Sequence, residues 1–135
     1  MTIETSTPPS LFTPIGPYSH VAKSGPFIWV SATPGVDSAS GVMAGPDAYS
    51  QTRQILENLR LMLESVGAAF EHVLHVQVFL KRVEDFAEMN RAYAEVFTRH
   101  LPARTVICVA DLPKRDALLT INLNAICHAA EPGMA

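Results

Sequence analysis

Residues 102–125 read Pro-Ala-Arg-Thr-Val-Ile-Cys-Val-Ala-Asp-Leu-Pro-Lys-Arg-Asp-Ala-Leu-Leu-Thr-Ile-Asn-Leu-Asn-Ala. Two strand patterns stand in this stretch, a β-branched run over 103–109 and a period-two run over 118–126, separated by a cluster of Pro and charge. Successive side chains leave a strand in opposite directions, so Leu119, Ile121 and Leu123 share one face and Thr120, Asn122 and Asn124 the other. The same alternation puts Arg104, Val106 and Cys108 on one face. It offers a lone guanidinium at the mouth of an apolar surface, a seat for a small anion.

Upstream, the period switches to that of a helix. Phe86, Met89, Tyr93, Val96 and Phe97 form a stripe that ends near His100, and Asp85 with Glu88 reads as the Asp version of a capping box. Before it, 73–81 alternates with Leu74, Val76, Val78 and Leu80 on one face and His75, Gln77 and Phe79 on the other. A longer helical stripe runs from Tyr49 to Val66, with Asp47 as N-cap and Gly67 closing its C-terminus. Residues 18–23 and 27–32 flank the turn Ser24-Gly25-Pro26 as a hairpin. The stretch 33–47 is mostly loop, with a minor strand around 41–44. Residues 1–13 read as a flexible segment, 14–129 as a single domain and 130–135 as a flexible tail.

The element order predicts an α+β fold, a sheet with both helices packed on one face. The uncovered face is expected to carry Phe79, Val106 and Cys108 beside Arg104, His75 and Gln77. That is too apolar to leave open, so a closed homo-oligomer follows from the patterning.

Composition narrows the function classes. The 135 residues suffice for one core, and 48% hydrophobic against 17% charged residues is a globular balance. A formal net charge of -3 with no basic run disfavours nucleic acid as a partner. No apolar run approaches the ~20 residues of a membrane span, and the N-terminus lacks signal-peptide character, so a soluble, cytoplasmic protein is expected. Cys108 and Cys127 have no metal-binding spacing and read as structural thiols.

Several short motifs occur in a telling order: Ile15-Gly16-Pro17-Tyr18-Ser19, Trp29-Val30-Ser31, Val78-Phe79-Leu80-Lys81, Asp85-Phe86-Ala87-Glu88-Met89-Asn90 with Tyr93, Pro102-Ala103-Arg104, and Leu112-Pro113-Lys114. Together they resemble the RidA (YjgF, endoribonuclease L-PSP) family over about residues 14–127. The resemblance implies a chorismate-mutase-like fold and a homotrimer with clefts between subunits. It further implies hydrolysis of enamine or imine intermediates of amino acids to keto acid and ammonia, with neither metal nor organic cofactor.

Carried over residue by residue, Arg104 matches the arginine that grips a substrate carboxylate, a role its planar fork of donors suits. Tyr18 matches a cleft tyrosine. Ser31 and Asn90 match cleft-side positions, Phe86 belongs to the same motif, and Val106 stands where many members carry Cys. One departure is chemical. Aligning 121–126 on the family's last strand puts Asn122 at the position of the usual catalytic Glu, and an amide cannot take a proton as a general base does. A register shift would bring Thr120 or Asn124 there, neither of them an acid.

Three repairs are open: a water held by Asn122 and a backbone carbonyl, His20 or His75 as the base, or loss of hydrolysis. The readings are therefore an imine deaminase using Arg104, Tyr18 and Asn122, and alternatively a non-hydrolytic binder of small carboxylates. A ribonuclease is disfavoured by the lack of a basic groove and of an acid–base His pair.

Overall fold

Asp47 starts the long helix α1, Ala48–Glu64, by accepting the Ser50 amide at 2.8 Å. Gly67, at φ +79°, ends it, and the Ala68 amide returns to the Leu63 carbonyl at 2.9 Å. Between these stops Ile55, Leu59, Met62 and Leu63 are fully buried, each side chain worth roughly 1.5–3 kcal/mol on removal from water. The structure, a computed structural model, describes residues 2–128. The tail expected over 130–135 lies outside the described residues.

In chain order the strands are β1 Ile3–Ser6, β2 Val21–Ser24, β3 Phe27–Thr33, β4 Val73–Leu80, β5 Ala103–Cys108 and β6 Leu119–Ile126. Helix α2, Phe86–Val96, joins β4 to β5. The sheet order is β1-β2-β3-β6-β4-β5, with β4 and β5 parallel and the other pairs antiparallel. Both helices cover one face, as an α+β layer requires. Val30, Val76, Val78, Ile121 and Leu123 point into the core beneath them. No helix among the described residues is long and apolar enough to cross a membrane.

Several expectations change. Within the segment before Pro14, Ile3–Ser6 pairs with β2, and Leu11 is buried. Strand β2 begins at Val21, leaving Tyr18 in a loop. The minor strand around 41–44 reduces to a single bridge between Val36 and Met43. Helix α2 ends at Val96, before His100. Its capping box does not form, because Arg82 takes the Asp85 carboxylate at 3.0 and 3.1 Å and Arg91 takes Glu88 at 2.7 Å. An ion pair satisfies the carboxylate better than an exposed amide.

A register irregularity between Val73 and His75 buries Val73 and exposes Leu74, reversing their expected faces. Cys108 is exposed, so only Cys127, half-buried, fits the structural-thiol reading.

The largest correction concerns β5. Val76 lies beside Arg104, Val78 beside Val106 and Leu80 beside Cys108. Neighbours in a ladder share a face, so Arg104, Val106 and Cys108 belong to the helix-covered side. The open side carries His75, Gln77 and Phe79, as expected, together with Thr105, Ile107, Asn122, Asn124 and Trp29. Trp29 is 56% exposed there.

Candidate functional site

Arg104 stands at the start of the edge strand β5 and is half-buried under α2. Its Nη1 donates to Asn90 Oδ1 at 2.7 Å, and its guanidinium lies 4.7 Å from the Tyr93 ring centroid and 5.9 Å from that of Phe86. Arg104 takes part in none of the ion pairs found among the described residues. Its neighbours are therefore a neutral amide and two aromatic faces, which hold a cation without cancelling its charge. A hollow of about 320 Å³ opens beside it, lined by Asn90, Tyr93, Phe97, Leu101 and Pro102. Burial raises the Tyr93 phenol above its ordinary pKa, with the nearby guanidinium working against that rise.

A second and larger cleft, about 820 Å³, lies elsewhere, with Tyr18, Ser31, Thr120 and Lys114 among its polar lining and no acidic side chain. Loops wall it over a floor of strand residues, Ser31, Phe79 and Thr120. Leu11, Phe12 and Ile15 arrive from the segment before β2, Leu112 and Pro113 from the β5–β6 connection. That connection is pinned by α1: Gln51, buried to 1%, donates to the Asp116 and Gly45 carbonyls at 3.0 and 2.9 Å and accepts the Leu118 amide at 2.8 Å. Asp116 adopts φ +67° in this turn, a left-handed conformation that Asp tolerates better than most residues. Gly35 lets the other wall close on α1, since a Cβ there would sit 2.6 Å from the Gln51 carbonyl oxygen.

Ser31 is fixed by its Oγ, which donates to the Ser19 carbonyl at 2.7 Å. A β-bulge between Val30 and Thr33 sets residues 31 and 32 opposite Asn122 on the open side of the sheet. Asn122 Nδ2 donates to Gln77 Oε1 at 2.9 Å, while its Oδ1 is buried without a partner, as is Oδ1 of Asn124. Such an orphan acceptor costs roughly 1–3 kcal/mol until something donates to it.

The sequence-selected residues thus fall into two groups. Arg104, Asn90 and Phe86 form one, and Tyr18 and Ser31, which line the larger cleft, the other, with Asn122 next to Ser31 on the sheet but outside that lining. Val106 joins neither and packs against the core. Strands β6 and β4 separate β3 from β5, roughly 14 Å at ordinary strand spacing, and Arg104 and Asn122 face opposite sides of the sheet. One chain cannot close both groups on one small molecule.

The two histidines differ in setting: buried His20 has its Nε2 2.7 Å from the Phe12 carbonyl, which only accepts, whereas the Nε2 of the partly exposed His75 lies 3.0 Å from the Thr105 hydroxyl, which can donate or accept. Among the described residues no three His, Cys, Asp or Glu side chains are placed to hold a metal ion. Lys114 and the apolar loop residues of the cleft were not selected from the sequence as site residues. Lys114 was legible only as part of Leu-Pro-Lys.

Residues 9–127 match the family model described as Endoribonuclease L-PSP. The chain belongs to the RidA (YjgF, endoribonuclease L-PSP) family. A RutC family protein of Pyrococcus horikoshii is 43% identical over 108 residues, covering 80% of this chain and 85% of that protein. The YjgF gene product of E. coli superposes with a TM-score of 0.85 at 31% identity, over 91% of this chain and 98% of that one. E. coli TdcF with bound serine gives 0.85 at 27% identity and the same coverage. Membership in the RidA family accounts for the mixed six-stranded sheet with two helices on one side.

Proposed function

We propose that this RidA-family chain binds a small imine or enamine carboxylate at a seam between two copies of itself and hydrolyses it to the keto acid and ammonia. The observation that carries the proposal is the Arg104 guanidinium, half-buried against Asn90 and two rings with no carboxylate partner among the described residues. Such a fork binds a carboxylate bidentately. Serine bound to TdcF, itself a small carboxylate, supports that ligand class.

Tyr18, Ser31 and Asn122 of the neighbouring copy then face the substrate. A homotrimer is the assembly we propose, and the exposed Trp29, Phe27 and Ile107 favour covering the open side. Water held by these groups adds its oxygen to the C=N carbon while nitrogen takes up a proton. The carbinolamine then expels ammonia and leaves the C=O of the keto acid. Positioning an electrophilic imine beside a held water contributes several kcal/mol without a side-chain base.

The second reading, carboxylate binding without turnover, is favoured by Asn122 itself, whose amide cannot accept the proton that a Glu would. The experiment generates 2-iminobutanoate with an amino-acid oxidase in the presence of semicarbazide. Faster loss of the trapped imine supports hydrolysis. No acceleration at high protein concentration, with 2-oxobutanoate still bound, leaves the binding reading. Ribonuclease activity is not proposed, because nothing in the cleft pairs an acid with a base.

A further inference from the structure

Tyr18 belongs to no helix or strand, and a single short backbone bond, from its amide to the Gly16 carbonyl at 2.9 Å, shapes its turn. A half-exposed ring on such a loop needs something to fix its direction. His20 is the side chain behind it, 1% exposed and with its ring edge-on to both Phe12 and Tyr18, at centroid separations of 4.8 and 6.2 Å.

His20 is tied to the wall of the larger cleft through its ring and its backbone. Nε2 lies 2.7 Å from the Phe12 carbonyl, and because a carbonyl only accepts, that nitrogen carries the hydrogen. The His20 carbonyl accepts the Ser31 amide at 3.0 Å, and the His20 amide donates to Thr7 Oγ1 at 3.3 Å. Phe12 is held at its other end by its own amide, which donates to Ser38 Oγ at 3.0 Å. One residue thus touches the segment around Phe12, the Tyr18 ring and the Ser31 backbone, three parts of the cleft wall beyond the end of the β1–β2 pairing.

We propose that His20 is a positioning residue of the Tyr18–Ser31 half-site, acting as an Nε2–H donor that locks the segment around Phe12 and sets the Tyr18 ring. This rests on the reading that Tyr18 lines the ligand site. Glutamine reaches as far as histidine and donates an amide hydrogen, so it can replace the lock, whereas leucine fills the space without donating.

The test compares His20→Gln and His20→Leu in the full chain, reading Tyr18 ring resonances by NMR and affinity for 2-oxobutanoate. Loss of one hydrogen bond to a buried carbonyl predicts about tenfold weaker binding and displaced Tyr18 resonances for His20→Leu. His20→Gln should restore both, with affinity within about threefold of the parent. The imidazole nitrogen shifts of the parent should report the Nε2–H tautomer. The proposal is overturned if the Nδ1–H tautomer is found, if both variants keep the parent resonances, or if a folded His20→Gln is as impaired as His20→Leu. Should Leu prevent folding, the Gln variant and the tautomer decide. A Tyr18→Ala control separates the two ideas: unchanged affinity there refutes the ligand-site reading, while the resonances still judge the lock.

Discussion

Replacing Asn90 by Asp keeps the side chain's shape and adds one negative charge beside Arg104. Asn90 Oδ1 already accepts from Arg104 Nη1 at 2.7 Å, so the carboxylate of Asn90→Asp finds its partner in place. The variant should fold at least as well as the parent, since a hydrogen bond from a cation to a neutral amide becomes one to a carboxylate. Ligand binding should suffer. A carboxylate on the opposite edge of the guanidinium would sit roughly 6 Å from the new charge, and at an effective dielectric near 20 that repulsion is about 3 kcal/mol, or about a hundredfold in affinity. Solvent in the open hollow trims this, so a loss of about 10- to 100-fold is expected. Titration with 2-oxobutanoate at low and high salt measures it, and salt should narrow the gap. If a folded Asn90→Asp variant binds the keto acid as the parent does, Arg104 is not the carboxylate anchor and the reasoning fails.

The remaining expectations are simpler. Gly35→Ala forces a methyl to within 2.6 Å of the Gln51 carbonyl oxygen. It should cost about 1–3 kcal/mol in chemical denaturation and loosen the cleft wall. Asn122→Glu restores an ionisable group beside the Ser31 bulge, and should raise the rate of trapped-imine loss if the missing base limits turnover; an unchanged rate in a folded variant removes that explanation. Asp47 has its pKa lowered by the Ser50 amide and hydroxyl. Its contribution to stability is therefore present above the ordinary carboxylate pKa of 3.8 and is lost as the pH falls through the lower folded value. Acid unfolding of Asp47→Asn, whose amide still caps but does not titrate, should be less steep in that window.

The layer architecture was legible because its signals are local. Leu119, Ile121 and Leu123 alternate with Asn122 and Asn124, and the α1 stripe from Thr52 to Leu63 keeps the helical period. Which face of β5 meets the helices was not legible. Alternation groups Arg104 with Val106 and Cys108 but cannot say where they point, and the other face of that strand, with Ala103, Thr105 and Ile107, is equally undecided in polarity. Register against Val76 on β4 settles it, and that is a tertiary fact. The bulge that exposes Leu74 is of the same kind. The Asp85 box failed because a cation three residues upstream competed for its carboxylate. In the candidate site, Arg104 and Tyr18 stood out by their motifs. Leu11, Phe12 and Gln51 did not, since a loop wall assembled from distant segments leaves no periodic trace.

The central claim, that the guanidinium and the tyrosine act on one ligand from different copies, is most directly tested by mixing two defective variants. Arg104→Met and Tyr18→Ala are co-expressed with different tags, and the mixed oligomer is purified and titrated with 2-oxobutanoate. In a closed trimer that contains both variants, one seam in three receives an intact arginine from one chain and an intact tyrosine from the next. About a third of the parent's binding sites should therefore return. A mixed oligomer that binds no better than its two parents would place both residues' effects within single chains and contradict the seam.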